Sequence, residues 1–245
     1  MRTDFAAFIL THGRPGNVLT YDTLRRQGYT GRIVIVIDNE DAQGDAYRER
    51  FKDEAGVEVY EFDKAAIGET FDTGDNQTDR RTIVYARNAC WPIARELGLR
   101  YFLQLDDDYY QFVWRFTDAD EWASAAHWKG GRTGFFPADL DRLFTAFLDF
   151  LISTPTKTIA MAQGGDFIGG PAGAFGKVLK LRRKAMNSFF CDVERPVGFQ
   201  GRINEDVNTY THRATVGDLL FTYNRTALNQ TQTQQATGGM SDVYG

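Results

Sequence analysis

The stretch Arg100-Tyr101-Phe102-Leu103-Gln104-Leu105-Asp106-Asp107-Asp108-Tyr109-Tyr110 decides how this chain is read. Its apolar part has the length and composition of a buried strand, and three consecutive carboxylates follow it. Like charges at the end of a buried strand repel one another, so the cluster calls for a compensating partner. A hard divalent cation, which prefers oxygen ligands, is the commonest one. Strand side chains alternate between faces, which puts Asp106 and Asp108 on one side and Asp107 on the other. A pair spaced D-x-D suits Mg²⁺ or Mn²⁺ on a diphosphate. Such ions take one or two protein carboxylates and complete their shell with phosphate oxygens and water. The plain alternative is a solvated acidic turn that caps the next element.

Working upstream, strand and helix patterns alternate. Phe5 to Leu10 reads as a buried strand. Asn17 is placed to cap a helix through about Gln27, with Gly28 as the stop. Ile33 to Ile37 is an unbroken β-branched run, as expected of a strand covered on both faces. A polar helix follows from about Asp45 to Glu54, then a strand over Val57 to Phe62. The pattern of Thr82 to Leu97 is helical, with a kink expected at Pro92. Downstream, Tyr109 to Phe116 reads as a strand, Pro137 to Ile152 as an amphipathic helix, Thr158 to Ala162 and Leu219 to Tyr223 as strands, and Asn204 to about Ala214 as a helix. This order implies right-handed crossovers and a Rossmann-like α/β domain, with a mainly parallel central sheet and helices on both faces. Ligands in such sheets bind beyond the carboxyl ends of the strands, where Thr11, Asp38 and Asp106 fall.

The 245 residues suit one large α/β domain, and 42% hydrophobic residues provide for its core. The net charge of −5 argues against a general nucleic-acid coat but leaves room for a local basic patch. Two cysteines, Cys90 and Cys191, make neither a disulfide framework nor a zinc site. The six apolar residues Phe5 to Leu10 are too short for a signal core or a membrane span, so a cytoplasmic location is expected. A single domain over residues 1–228 is expected, with a nucleotide-binding half (1–108) and an acceptor-binding half (109–228), followed by a polar tail, 229–245.

Several residues have the chemistry to join the acidic strand. In Thr11-His12-Gly13-Arg14-Pro15-Gly16 the glycines allow close backbone approach to a ligand and Arg14 can pair with phosphate. Asp38 can accept hydrogen bonds from a base or ribose, or cap the following turn. Arg87 is either a site residue or a surface arginine. Glu205 and Asp206 open a helix, where acidic groups are favoured for dipole reasons alone, but a carboxylate there can also serve as a general base.

Taken in order, these features resemble the GT-A glycosyltransferases, especially their family-2-like branch, over roughly residues 4 to 225. The resemblance implies that Thr11, Arg14 and Asp38 hold the uridine of a UDP-sugar, and that Asp106 and Asp108 hold Mn²⁺ or Mg²⁺ on its diphosphate. It also implies that Arg87 lies near the diphosphate or sugar, while Asp107, on the opposite face of the strand, is expected to support the donor sugar or the local fold. Asp206, beside Glu205, would deprotonate the acceptor in an inverting reaction. Many relatives add a late histidine to the metal shell. Here His212 lies six residues after Asp206, and the metal is expected to have aspartate ligands only.

The stretch from Lys177 to Lys184 carries Lys177, Lys180, Arg182, Arg183 and Lys184, five cations in eight residues, shortly before Phe189-Phe190. Positive charge beside aromatics suits a phosphodiester backbone and an unstacked base, although charge runs are usually solvated faces. The acidic strand, Gly164-Gly165-Asp166-Phe167 and Asn204-Glu205-Asp206-Val207-Asn208 are also similar to phage glycosyltransferases associated with TET-like dioxygenases. That likeness implies 5-hydroxymethylcytosine in DNA as the acceptor. The rival readings are a glycan or protein acceptor, a nucleotidyltransferase using the same aspartates, and a non-catalytic binding module.

Overall fold

The computed structural model describes residues 1–74, 80–114, 139–163, 185–186 and 188–231, together with the backbone of 179–181. The first half is a run of strand–helix units: β1 (Phe5–Leu10), α1 (Leu19–Arg26), β2 (Arg32–Asp38), α2 (Gly44–Phe51), β3 (Val57–Phe62), α3 (Lys64–Gly68), α4 (Val84–Glu96) and β4 (Tyr101–Asp106). The described remainder comprises β5 (Tyr109–Trp114), α5 (Leu140–Ser153), β6 (Thr158–Ala162), β7 (Leu179–Leu181), β8 (Ser188–Asp192), α6 (Glu205–Thr215) and β9 (Leu220–Gln230).

One nine-stranded sheet runs β3-β2-β1-β4-β8-β6-β9-β5, with β7 paired to β9. The β3-β2-β1-β4 half is parallel throughout. Beyond β4 the sheet is mixed: β8 is antiparallel to both β4 and β6, and β9 runs parallel to β6. The chain is therefore a single α/β domain of Rossmann-like form, and the parallel half is the part that alternating strand and helix patterns dictate.

Period-two alternation divides the core between the two faces of the sheet. Phe5, Ala7 and Ile9 of β1 face the layer of α1, α2 and α5. Ala6, Phe8 and Leu10 face α4. Helix α5 forms because Leu140, Leu143, Phe144, Phe147, Leu148 and Leu151 repeat at helical spacing, and all six are buried. Burying side chains of this size contributes ~1.5–3 kcal/mol each. Asp139 caps this helix by accepting the amide of Arg142 at 3.0 Å.

Three expectations need correction. Helix α1 begins at Leu19 with no side-chain cap, so Asn17 does not serve as one. Instead the amide of Thr20, in the first turn, donates to the Asp107 carbonyl at 3.1 Å, which ties α1 to the acidic turn. Strand β8 was not anticipated, and Phe189 and Phe190 within it are buried in the sheet, 2% and 0% exposed. They are core residues and present no stacking surface to a base. The last strand runs on to Gln230, seven residues past its expected end at Tyr223. Helix α4 carries Pro92 inside it, where the helical pattern placed it. Among the described residues, no helix is long and apolar enough to cross a membrane.

Candidate active site

Strand β4 ends at Asp106, and Asp107 and Asp108 form the turn into β5. Strict alternation therefore stops at Asp106, and hydrogen bonding decides where each carboxylate goes. Asp106 Oδ1 accepts from Arg87 at 2.7 Å and Oδ2 from the Tyr109 hydroxyl at 3.2 Å. Asp107 turns to the loop after β1, accepting from Thr11 Oγ1 at 2.6 Å and pairing with Arg14 at 2.9 Å. Among the described residues, Asp108 Oδ1 is buried with no hydrogen-bond partner. An unpaired buried carboxylate oxygen is costly, and such atoms commonly mark a site that an ion or ligand completes.

Arg87 is not a surface residue. It projects from α4 with 1% exposure and lies over the Phe189 ring at 5.1 Å. Gln104, buried in β4, donates to its carbonyl at 3.0 Å and fixes α4 against the strand. The guanidinium bonds Asp106 on one side and stands 3.7 Å from Glu205 on the other. Burial works against its charge, yet Asp106 and Glu205 together hold its pKa above the ordinary value. Arg87 thus joins the end of β4 to the start of α6.

The residue before that helix, Asn204, has φ 55 and makes no side-chain cap. A non-glycine residue in the left-handed region is uncommon and costs of order 1 kcal/mol, and it redirects the chain so that Glu205 and Asp206 point inward. Asp206 is buried and accepts the Val207 amide at 2.7 Å. Both carboxylates are near enough to Asp106 to interact with it electrostatically.

Five carboxylates, Asp106, Asp107, Asp108, Glu205 and Asp206, are thus grouped around Arg14 and Arg87. Their titration reflects the crowding. Burial, then the charges of Asp106 and Asp107, pushes Asp108 up to about 7. Burial pushes Asp107 to about 6 against the pull of Arg14 and the Thr11 bond. Burial also raises Glu205 to about 7, with Arg87 opposing and Asp206 and Asp106 adding to it. Asp106 is raised by burial despite its bonds to Arg87 and Tyr109.

The loop after β1 is organised by residues that sequence reasoning passed over. The Arg14 amide donates to Tyr47 Oη at 2.7 Å. Tyr47 lies 2.9 Å from Thr11 Oγ1, whose proton goes to Asp107. Tyr47 is therefore the donor, and the relay Arg14–Tyr47–Thr11–Asp107 runs in one direction. Tyr47 gave no signal beyond an aromatic ring in an otherwise polar helix.

Asp38 does not cap a turn alone. His12 Nδ1 is 2.9 Å from its Oδ2, Lys64 Nζ donates to the same oxygen at 3.2 Å, and the Glu40 amide reaches Oδ1 at 3.1 Å. A carboxylate offers about four acceptor positions, which leaves one on Oδ1. Burial opposes the charge of Asp38, but the His12 bond and Lys64 hold it below the usual carboxylate range.

Of the basic stretch, Lys177, Arg182, Arg183 and Lys184 lie outside the described residues, as does the Lys180 side chain, whose backbone belongs to β7. Gly164-Gly165-Asp166-Phe167 also lies outside them. His212 is exposed in the last turn of α6. Among the described residues, no group of three or more His, Cys, Asp or Glu side chains is arranged to hold a metal. The available donors, Asp108 Oδ1 and the Asp106 carboxylate, still fit an ion that takes one or two carboxylates and leaves its other positions to phosphate and water.

Over residues 5–239 the chain matches the family model described as TET-Associated Glycosyltransferase. No curated protein matches it. The match spans nearly the whole chain, including the acidic turn, Arg87 and the Glu205-Asp206 helix, and the chain belongs to the TET-associated glycosyltransferase family.

Proposed function

We propose that the protein transfers a sugar from a UDP-sugar to the hydroxymethyl group of 5-hydroxymethylcytosine in DNA, using Mn²⁺ or Mg²⁺. The observation that carries this reading is the junction at Arg87. One buried guanidinium contacts Asp106 of the nucleotide-side strand and faces Glu205 beside Asp206. A donor and an acceptor held on the two sides of Arg87 would meet within reach of one base. The acceptor identity is supported by the family and by the resemblance to enzymes that work with TET-like dioxygenases.

Asp106 and Asp108 would hold the ion. When bound, it supplies positive charge to the departing diphosphate. The chain's own residues do the rest. The free position on Asp38 accepts from a ring N–H of the donor base, in the loop that Thr11 and Arg14 shape. Asp206 takes the proton of the acceptor hydroxyl, whose oxygen forms the new bond to the anomeric carbon as the bond to UDP breaks, inverting that centre. Glu205 is held beside Arg87 and keeps the first turn of α6 in register with Asp106.

The test is a donor screen on 5-hydroxymethylcytosine DNA with Mn²⁺, read by the mass of the released nucleosides. A hexose added to the modified cytidine, with free UDP and loss of the product in Asp206→Asn, is the expected result. Pyrophosphate release with nucleotide transfer would point to a nucleotidyltransferase. Unchanged nucleosides beside a modified glycan would overturn the DNA acceptor.

A further inference from the structure

Two threonines far apart in sequence take up every backbone carbonyl of the acidic turn. Thr20 Oγ1 donates to the Asp106 carbonyl at 2.6 Å and accepts the Tyr109 amide at 3.0 Å. The Thr20 amide donates to the Asp107 carbonyl at 3.1 Å. Thr231 donates twice to the Asp108 carbonyl, from its hydroxyl at 3.0 Å and its amide at 3.2 Å. Thr20 is fully buried in the first turn of α1, and Thr231 directly follows β9.

We infer that Thr20 and Thr231 are positioning residues that clamp the Asp106-Asp107-Asp108 turn in the shape that presents its carboxylates to a divalent cation. The inference rests on the metal-dependent reading above. Three adjacent carboxylates in a buried turn repel, and a free turn would relieve the repulsion by rotating its peptide planes and swinging one of them out to water. Rotation of any of these planes breaks a bond to Thr20 or Thr231. The geometry of the single Thr20 hydroxyl is also specific, because it bridges the last carbonyl of β4 and the first amide of β5. The turn is thereby fixed at both its entrance and its exit. With the carbonyls directed to the threonines, the Asp108 carboxylate is left with a buried oxygen that has no partner among the described residues, which is the state expected of a ligand held ready. Partners that orient ligating carboxylates typically govern 10–100-fold of metal affinity.

The discriminating series is Thr20→Val, Thr20→Ser, Thr231→Val and Thr231→Ser, each titrated with Mn²⁺ and followed by electron paramagnetic resonance of the free ion. Wild type and Asp108→Asn calibrate the assay. Amide hydrogen exchange at residues 107–109 is measured alongside, and thermal unfolding shows that each variant is folded. Valine has the shape of threonine without its hydroxyl. Each valine variant should weaken Mn²⁺ binding about 10-fold or more and speed exchange of the turn amides, and serine should restore both. A merely structural threonine would lower Tm in the valine variant without moving the Mn²⁺ affinity of the folded protein, and that result overturns the inference. If wild type itself takes up no Mn²⁺, the metal reading fails. The clamp is then judged by exchange alone, and unchanged turn exchange in Thr20→Val removes it too.

Discussion

Replacing Asp108 by Asn should make the protein more stable and less able to hold a divalent ion. Burial and the charges of Asp106 and Asp107 push the Asp108 carboxyl up to about 7, and its Oδ1 has no partner. An aspartate in an unfolded chain titrates near ~4. A carboxylate whose folded pKa lies above its unfolded value weakens the fold progressively as pH rises from the lower value to the higher, and by a constant amount beyond. The gap corresponds to ~4 kcal/mol above neutral pH. The three acids titrate as a coupled group and share the strain, so ~2 kcal/mol is the working figure for neutralising one of them. In a chain of this length ~2 kcal/mol moves Tm by roughly 4–8 °C. The assay is thermal unfolding in a chelating buffer at two pH values. At pH 8 the Asn variant should melt above wild type, and at about pH 4.5, where Asp108 is protonated in the wild-type fold, the gain should nearly vanish. Mn²⁺ should then raise the Tm of wild type but not of the variant, because only the former binds it. A variant less stable than wild type at pH 8, or a gain of equal size at both pH values, refutes the reasoning.

Other consequences follow from the same geometry. Arg87→Met removes the only guanidinium bonded to Asp106 among the described residues and leaves Asp106 and Glu205 buried without it. The expected loss is ~3–5 kcal/mol in urea unfolding at pH 8, shrinking at pH 5 as the carboxyls protonate. Phe189→Ala should cost ~3–5 kcal/mol because the ring is core, while DNA affinity measured on the folded fraction stays unchanged. A loss of DNA affinity would show that the ring reaches the acceptor after all. The His12 bond to Asp38, opposed by burial and reinforced by the Asp38 and Asp41 charges, raises the imidazole pKa. Its stabilisation is therefore complete below about pH 6.5 and is lost as pH rises through the raised value. His12→Gln should flatten that segment of the stability–pH curve by less than ~1 kcal/mol, since the ring is near half exposed and screened; an unchanged slope would mean that the pair contributes nothing.

The parallel half of the fold was legible because β1 and the Ile33–Ile37 run of β2 are apolar on both faces, and Phe5–Leu10 and Val57–Phe62 come out with the bounds read from sequence. Strand β8 was missed because its residues follow a basic stretch, and adjacency in sequence made Phe189 and Phe190 look like part of a surface. Only the long-range pairing with β4 and β6 explains their burial. The acidic turn, Asp38 and the Glu205-Asp206 pair were legible as chemistry. Arg87 was legible as a residue type but not as a burial state, since a helical arginine becomes a buried junction only when β4, β8 and α6 close around it. Tyr47, Lys64 and Thr20 left no local trace. Each acts through a partner at a distance in the chain, and sequence spacing carries no information about such pairs without the fold.

The charge balance links the fold to the chemistry. The site groups five carboxylates around two guanidinium groups, and one of those, Arg14, is already paired with Asp107. Burial first, and the crowding of like charges after it, pushes Asp108 and Glu205 up to about 7, out of the usual carboxylate range. A nucleoside diphosphate entering such a site would be repelled. In the proposed reaction a divalent ion held by Asp106 and Asp108 would offset that repulsion and supply positive charge to the phosphates. Donor binding and ion binding are then expected to be coupled, each weak without the other. Arg87, fixed between Asp106 and Glu205, would carry the electrostatic consequence to the acceptor side, where Asp206 is the proposed base.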